Sequence, residues 1–281
     1  MIQLRSAMEK MGKVVIDPTA QGPAWGDSGA LRVALDGGAR KRLLDWGPAP
    51  GRKALLVGAG WAGLAADLAE REMFVTVMEP DPARARRVSE EAAARGLLSR
   101  VTVSVTEVKD RSFEVGGFNL VVLWETLARF QPYEPVLEKL LRELKTGGKL
   151  FIRETIRVPV GAHAALEAKA RRLLPIALSA LRPHAAQVIA RPSYLAERDQ
   201  GIDADALRAV VERLFVLEAE EREHALAGDL ADLCAAFGAS GAWVNRALEL
   251  DRKLVQRRPE LARTVTLLAK KERELGTTFR V

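Results

Sequence analysis

The chain reads as an α/β protein with a doubly wound, mostly parallel sheet of seven strands and a helical insertion between strands five and six. Three observations carry this. Short apolar runs alternate with helical stretches from Lys53 to Ile152. A glycine-rich turn joins the first of these runs to the helix after it. Beyond Arg157 the texture becomes rich in Ala, Leu and Arg, punctuated by Pro175, Pro183 and Pro192, before strand-like runs return. Four segments are expected: a helical lead-in over 1–50, a core of alternating strands and helices over 51–157, a helical insertion over 158–214 and a completion of the sheet over 215–281.

Each element has its own signal. Ser28 is placed to cap a helix reaching about Trp46, and Gly37-Gly38 threatens to split it in two. Ala54 to Val57 is a short apolar run before glycines, as a buried parallel strand requires. Leu64 and Leu68 share a helix face four residues apart. Phe74 to Met78 is a second strand. Pro82 opens a helix with Val88 and Ala92 inward, and Gly96 ends it. Val101, Val103 and Val105 alternate with polar residues as a third strand. Asn119 to Trp124 is a fourth. Val136, Leu137, Leu140, Leu141 and Leu144 mark a helix face that Gly147-Gly148 should end, and Leu150 to Ile152 begins a fifth strand. Asp203 caps a helix over Ala204 to Leu214. Leu214 to Leu217 reads as the sixth strand, helices resume over residues 229–257, and Thr264 to Ala269 is the last strand.

Composition excludes several classes. The 281 residues are 48% hydrophobic and 28% charged, too apolar for disorder and long enough for a sizeable core. The net charge of +6 is spread evenly, with a surplus of two positive charges in each of residues 1–50, 51–160 and 161–281. No basic arm exists, so nucleic acid is not favoured as a partner. Cys234 is the single cysteine, which excludes an intrachain disulfide. His163, His184 and His224 lie far apart, without metal-ligand spacing, and no metal is expected. Neither a secretory signal nor a membrane span is visible, so the expected setting is cytoplasmic.

Gly58-Ala59-Gly60-Trp61-Ala62-Gly63 carries the chemistry. It follows a strand and opens a helix, the context in which such glycines have meaning. Gly58 permits a sharp turn, Gly60 a close ligand approach and Gly63 tight helix–strand packing. The helix start offers free N–H groups to an anion. Glu79 stands 21 positions after Gly58, at the end of the second strand, where a carboxylate accepts from both hydroxyls of a ribose. Two ligand classes use this constellation: dinucleotides such as NAD or FAD, and other nucleosides.

The downstream sequence separates them. Residues 51–155 resemble the class I (Rossmann-like) S-adenosylmethionine-dependent methyltransferases. The resemblance rests on the glycine loop, on Glu79-Pro80-Asp81-Pro82, on Thr106-Glu107-Val108 and on Phe118-Asn119-Leu120-Val121-Val122. It also rests on Leu144-Lys145-Thr146-Gly147-Gly148-Lys149-Leu150, which is similar to the family's Leu-Lys-Pro-Gly-Gly-x-Leu. It implies S-adenosylmethionine as cofactor. Gly58 and Gly60 would line its methionine end, and Ala59, Ala62, Gly63 and Pro80 would belong to the same cofactor site. Glu79 would hold the ribose, Glu107 and Val108 the adenine, and Trp124 and Glu125 would lie beside the reacting methyl. There are departures. Leu56 stands where the family usually carries an acid that helps hold the methionine amino group. Ala62 occupies the third glycine position. Ala128-Arg129 replaces a common Glu-His pair.

Methyl transfer is an in-line displacement in which the protein mainly aligns and desolvates the acceptor. An amine acceptor needs only its neutral form, whereas a hydroxyl or carbon needs a base. The candidate bases are His163, Glu125 and Glu154, the last two more simply read as solvated rim residues. The Asn/Asp-Pro-Pro-Tyr/Phe motif of methyltransferases acting on exocyclic base amines is absent. A small organic acceptor is therefore expected. The apolar segment 158–214 reads first as a packed helical subdomain, then as a lid over the acceptor or a homodimer interface, and last as a membrane-surface helix. Two other functional readings stay open: a catalytically degenerate nucleoside-binding module and an NAD- or FAD-binding oxidoreductase.

Overall fold

A computed structural model describes residues 29–47, 49–60, 63–111, 113–157, 201–225, 249 and 251–272. In chain order these form α1 (Gly29–Trp46), β1 (Lys53–Val57), α2 (Gly63–Glu70), β2 (Phe74–Met78), α3 (Pro82–Ala94) and β3 (Val101–Ser104). Then follow β4 (Phe118–Trp124), α4 (Glu134–Glu143), β5 (Leu144–Thr155), α5 (Ala204–Leu214), β6 (Val216–Glu223) and β7 (Thr264–Lys270). The seven strands make one sheet in the order β3-β2-β1-β4-β5-β7-β6. Only β7 runs antiparallel, seated between β5 and β6. The expected seven-stranded, mostly parallel, doubly wound sheet is the one observed. The position of β7 distinguishes it from the dinucleotide-binding order 3-2-1-4-5-6.

Strand parity divides the core into two layers. On one face Leu55, Val57, Val121, Leu123, Leu150, Ile152 and Leu267 pack against α4 and α5. On the other face Leu56, Val75, Val77, Val122, Trp124 and Phe151 pack against α1 and α2. Strands buried on both faces show continuous apolar runs rather than alternation, which is why β1 and β4 were legible.

Several elements depart from expectation for local reasons. Gly37-Gly38 does not split α1. Its inner face is pinned instead: Asp36 pairs with Arg153 of β5 at 2.8 Å, Arg40 with Asp67 of α2 at 2.7 Å, and Arg42 with Glu221 and Glu223 of β6. Gly147-Gly148 does not end a helix. The helix stops at Glu143 and the chain is already extended at Leu144. Gly147, at φ +75°, lies in an irregular part of β5, where the pairing with β4 shifts from Phe118↔Leu144 to Leu120↔Lys149. The third strand stops at Ser104, leaving Val105 exposed. Leu214 belongs to α5, and β6 runs on to Glu223 through a polar alternation suited to a sheet edge.

Asp203 caps α5 as expected, its Oδ1 accepting from the Asp205 and Ala206 N–H groups at 3.0 Å each. Ser28, the insertion helices over 158–200 and the helices over 229–248 lie outside the described residues. Among the described residues, no helix is long and apolar enough to cross a membrane.

Candidate active site

Sheet register assembles the site. Val57, the last residue of β1, pairs with Met78 on one side and Leu123 on the other. Gly58 therefore emerges between the ends of β2 and β4, where the winding of the sheet reverses. Ligands of open α/β sheets bind at such a point, beyond the carboxyl ends of the strands.

Glu79 is fully buried there. Its Oε2 accepts the Ala59 N–H at 2.7 Å and its Oε1 the Asp81 N–H at 3.1 Å. One carboxylate thus ties the glycine loop to the turn after β2. Arg84, from the first turn of α3, lies across it, with Nε 3.5 Å from Glu79 Oε2 and Nη2 donating to the Gly60 carbonyl at 3.3 Å.

Gly58 has φ +82°, a backbone conformation that L side chains rarely adopt. A Cβ there would sit 2.3 Å from Thr126 Cγ2 and 3.3 Å from an Arg129 guanidinium nitrogen. Gly60, at φ +55°, has Trp124 beneath it: a Cβ would meet Trp124 Cβ at 3.5 Å and Leu64 Cδ2 at 3.2 Å. Both glycines are therefore required by the chain's own packing, and at both positions the loop presents only backbone.

The other expected residues are placed as follows. Ala59 and Gly63 are buried, the latter opening α2. Pro80 is half-buried beside Glu79. Glu107 is half-buried after β3, preceding a short helical turn, Val108–Asp110, in which Val108 is buried. Trp124 is core: its ring stacks on Phe151 with centroids 5.7 Å apart, and the Arg153 guanidinium lies 5.2 Å from its centroid. It forms the floor under Gly60. Ala62 and His163 lie outside the described residues.

Glu154 requires a correction, because it is not a solvated rim residue. It is 2% exposed, and its Oε1 accepts the N–H groups of Thr126 at 2.6 Å and Leu127 at 2.7 Å. The cause is again register. Trp124 pairs with Arg153, so the chain leaving β4 folds directly over the next residue of β5. Burial pushes the Glu154 carboxyl up to about 8, against the opposing pull of the two N–H donors and of Arg129. Glu125, by contrast, is exposed, with φ +52° in the first position after β4. Thr126, which links Gly58 to Glu154, was not foreseen. Its only sequence signal is its position just past a strand adjacent to the glycine strand.

The raised Glu154 value has a sign. The folded protein retains a proton that the unfolded chain releases near its ordinary value of 4.5. Stability conferred by neutral Glu154 is complete below that value and is lost as pH rises through about 8. Glu154→Gln keeps a carbonyl acceptor and cannot ionise. Urea unfolding at pH 6 and pH 8 should show the wild type losing about 2 kcal/mol relative to this variant. A parallel response in both proteins would remove Glu154 as the cause.

Comparison with known proteins agrees with the geometry. Residues 54–148 match the family model described as a methyltransferase domain. No curated protein sequence matches. Among solved structures, a geranyl diphosphate methyltransferase in complex with S-adenosylmethionine aligns at TM-score 0.54 and 18% identity, covering 88% of this chain and 94% of that one. The geranyl diphosphate C-methyltransferase from Streptomyces coelicolor A3(2) aligns at 0.53 and 16%, covering 85% and 77%. The (4+2)-cyclase SpnF aligns at 0.52 and 17%, covering 82% and 80%. At these identities the structures speak for the fold, and the cyclase among them illustrates that one fold hosts several reactions. The matched residues run from β1 to the bulged start of β5, and the strand order around them completes the Rossmann-like α/β architecture of these methyltransferase structures.

Proposed function

We propose that this chain uses S-adenosylmethionine as its methyl donor and methylates a small organic acceptor. The observation that carries the donor is the Ala59–Glu79 hydrogen bond of 2.7 Å, which joins the glycine cradle to a buried carboxylate. Each Glu79 oxygen spends one acceptor site on a backbone N–H and keeps another, so the pair suits the two hydroxyls of a ribose once Arg84 swings aside. Solved structures of this fold hold S-adenosylmethionine or S-adenosylhomocysteine.

Bound there, the cofactor supplies an activated methyl group. The chain's own residues orient the acceptor and exclude water. Trp124 and Phe151 make the floor rigid, so the Gly60 backbone keeps its place. Glu154 is a positioning residue: it holds the turn after β4 through two backbone N–H groups. Glu125, exposed at the end of β4, is the better placed of the two glutamates to take a proton from a hydroxyl acceptor.

The acceptor reading is supported by a groove of about 400 Å³ beyond the ends of β4 and β5, lined in part by Gln131, Tyr133, Arg157, Asp203 and Val210. Its volume suits a small molecule, and the geranyl diphosphate enzymes named above act on one. The test is incubation of the purified chain with methyl-labelled S-adenosylmethionine and a panel of small amines, alcohols and prenyl diphosphates. Label is expected in the small-molecule fraction. Label found only in added protein or nucleic acid would overturn this acceptor class. Absence of any transfer despite cofactor binding would favour a non-catalytic module, the reading that Leu56 at a usually acidic position suggests.

A further inference from the structure

The geometry points to Arg129 as the residue that recognises the α-carboxylate at the amino-acid end of the bound donor. This inference rests on the donor assignment above and extends it to a residue that departs from the family's usual pattern.

The amino-acid end of S-adenosylmethionine is a zwitterion, and desolvating it needs charged partners. Leu56, where the family usually carries an acid, supplies none. It is 1% exposed and packs among Ala54, Val77 and Val122 on the α1 and α2 side of the sheet. The carboxyl ends of β2 and β4 carry Glu79 and Glu125, and the turn after β3 carries Glu107. That edge would repel a carboxylate unless a cation stood close.

Arg84 stands on the Gly60 side, engaged with Glu79 and the Gly60 carbonyl; Arg129 is the cation on the Gly58 side. It lies in the short helical turn Leu127–Phe130, whose start is pinned by the Glu154 bonds to the Thr126 and Leu127 N–H groups. The pinned turn places a guanidinium nitrogen 3.3 Å from the point where a Gly58 Cβ would be. The guanidinium also rests 5.6 Å from the Phe130 ring centroid, which restricts its swing. Among the described residues it makes no ion pair. An exposed guanidinium held beside a bare glycine backbone presents its planar fork to a carboxylate, a geometry that a point-charge lysine reproduces only in part.

The test uses calorimetric titration of the full chain with two ligands. S-adenosylhomocysteine carries the carboxylate; S-adenosyl-3-thiopropylamine is the same molecule without it. The wild type is expected to bind the first about tenfold or more tightly than the second. Arg129→Ala should lose that preference by weakening S-adenosylhomocysteine alone, and Arg129→Lys should restore part of it. If Arg129→Ala weakens both ligands equally, or neither, the role of Arg129 is overturned and the donor assignment stands. If the wild type binds neither ligand, both fall. Unchanged thermal unfolding of the variants separates lost recognition from lost fold.

Discussion

Glu79→Ala is expected to lower the affinity for S-adenosylhomocysteine about 100-fold and to cost about 2 kcal/mol of stability. Two losses combine. The Ala59 N–H is a buried donor, and removing its acceptor leaves it unpaired in a place water does not reach, at about 1–3 kcal/mol. The ligand also loses two charge-assisted acceptors for its hydroxyls. Glu79→Gln separates the two. One amide oxygen can still accept the Ala59 N–H, so most of the stability should return. The amide NH₂ then faces the Asp81 N–H, and a hydroxyl loses an acceptor, so binding should stay weak. Urea unfolding and calorimetry read the two effects independently. A Glu79→Ala variant that binds within twofold of the wild type would exclude Glu79 from the ligand site.

Gly58→Ala should be the most destabilising single methyl group in the loop, at about 3 kcal/mol. A left-handed backbone costs a non-glycine residue about 1–2 kcal/mol. The new Cβ would also lie 2.3 Å from Thr126 Cγ2, which forces a shift. The turn that carries Thr126 cannot simply withdraw, because the residue is buried and its backbone N–H is held by Glu154 at 2.6 Å. Overpacking of this kind costs a further 1–3 kcal/mol or so. Thr126→Ser deletes the offending methyl and keeps the hydroxyl. In the Gly58→Ala background it should recover the steric share and leave the backbone share. If it recovers nothing, the contact between the two turns is not what makes Gly58 necessary.

The legible and illegible parts of this chain differ in a physical way. The ends of β2 were readable to the residue because Phe74 to Met78 is an apolar run closed by Glu79-Pro80. Glu79 itself was legible because sequence distance from Gly58 stands in for spatial distance when one helix intervenes between adjacent parallel strands. β6 was cut short because Leu217 to Glu223 is charged along its length, and an edge strand needs no apolar run. Gly147-Gly148 misled because glycine marks both a helix stop and a strand irregularity. The burial of Glu154 could not be read at all. It depends on Trp124 pairing with Arg153, a fact of register that no local pattern encodes. The same holds for Arg153, whose partners Asp36 and Glu223 lie 117 and 70 residues away.

The donor assignment is tested most directly by one titration of the full chain in a calorimeter, first with S-adenosylhomocysteine and then with NAD. Saturable binding of S-adenosylhomocysteine at one site per chain, abolished or sharply weakened by Glu79→Ala, is the predicted result. Saturable binding of NAD with no response to S-adenosylhomocysteine would contradict it and reassign the glycine loop to a dinucleotide.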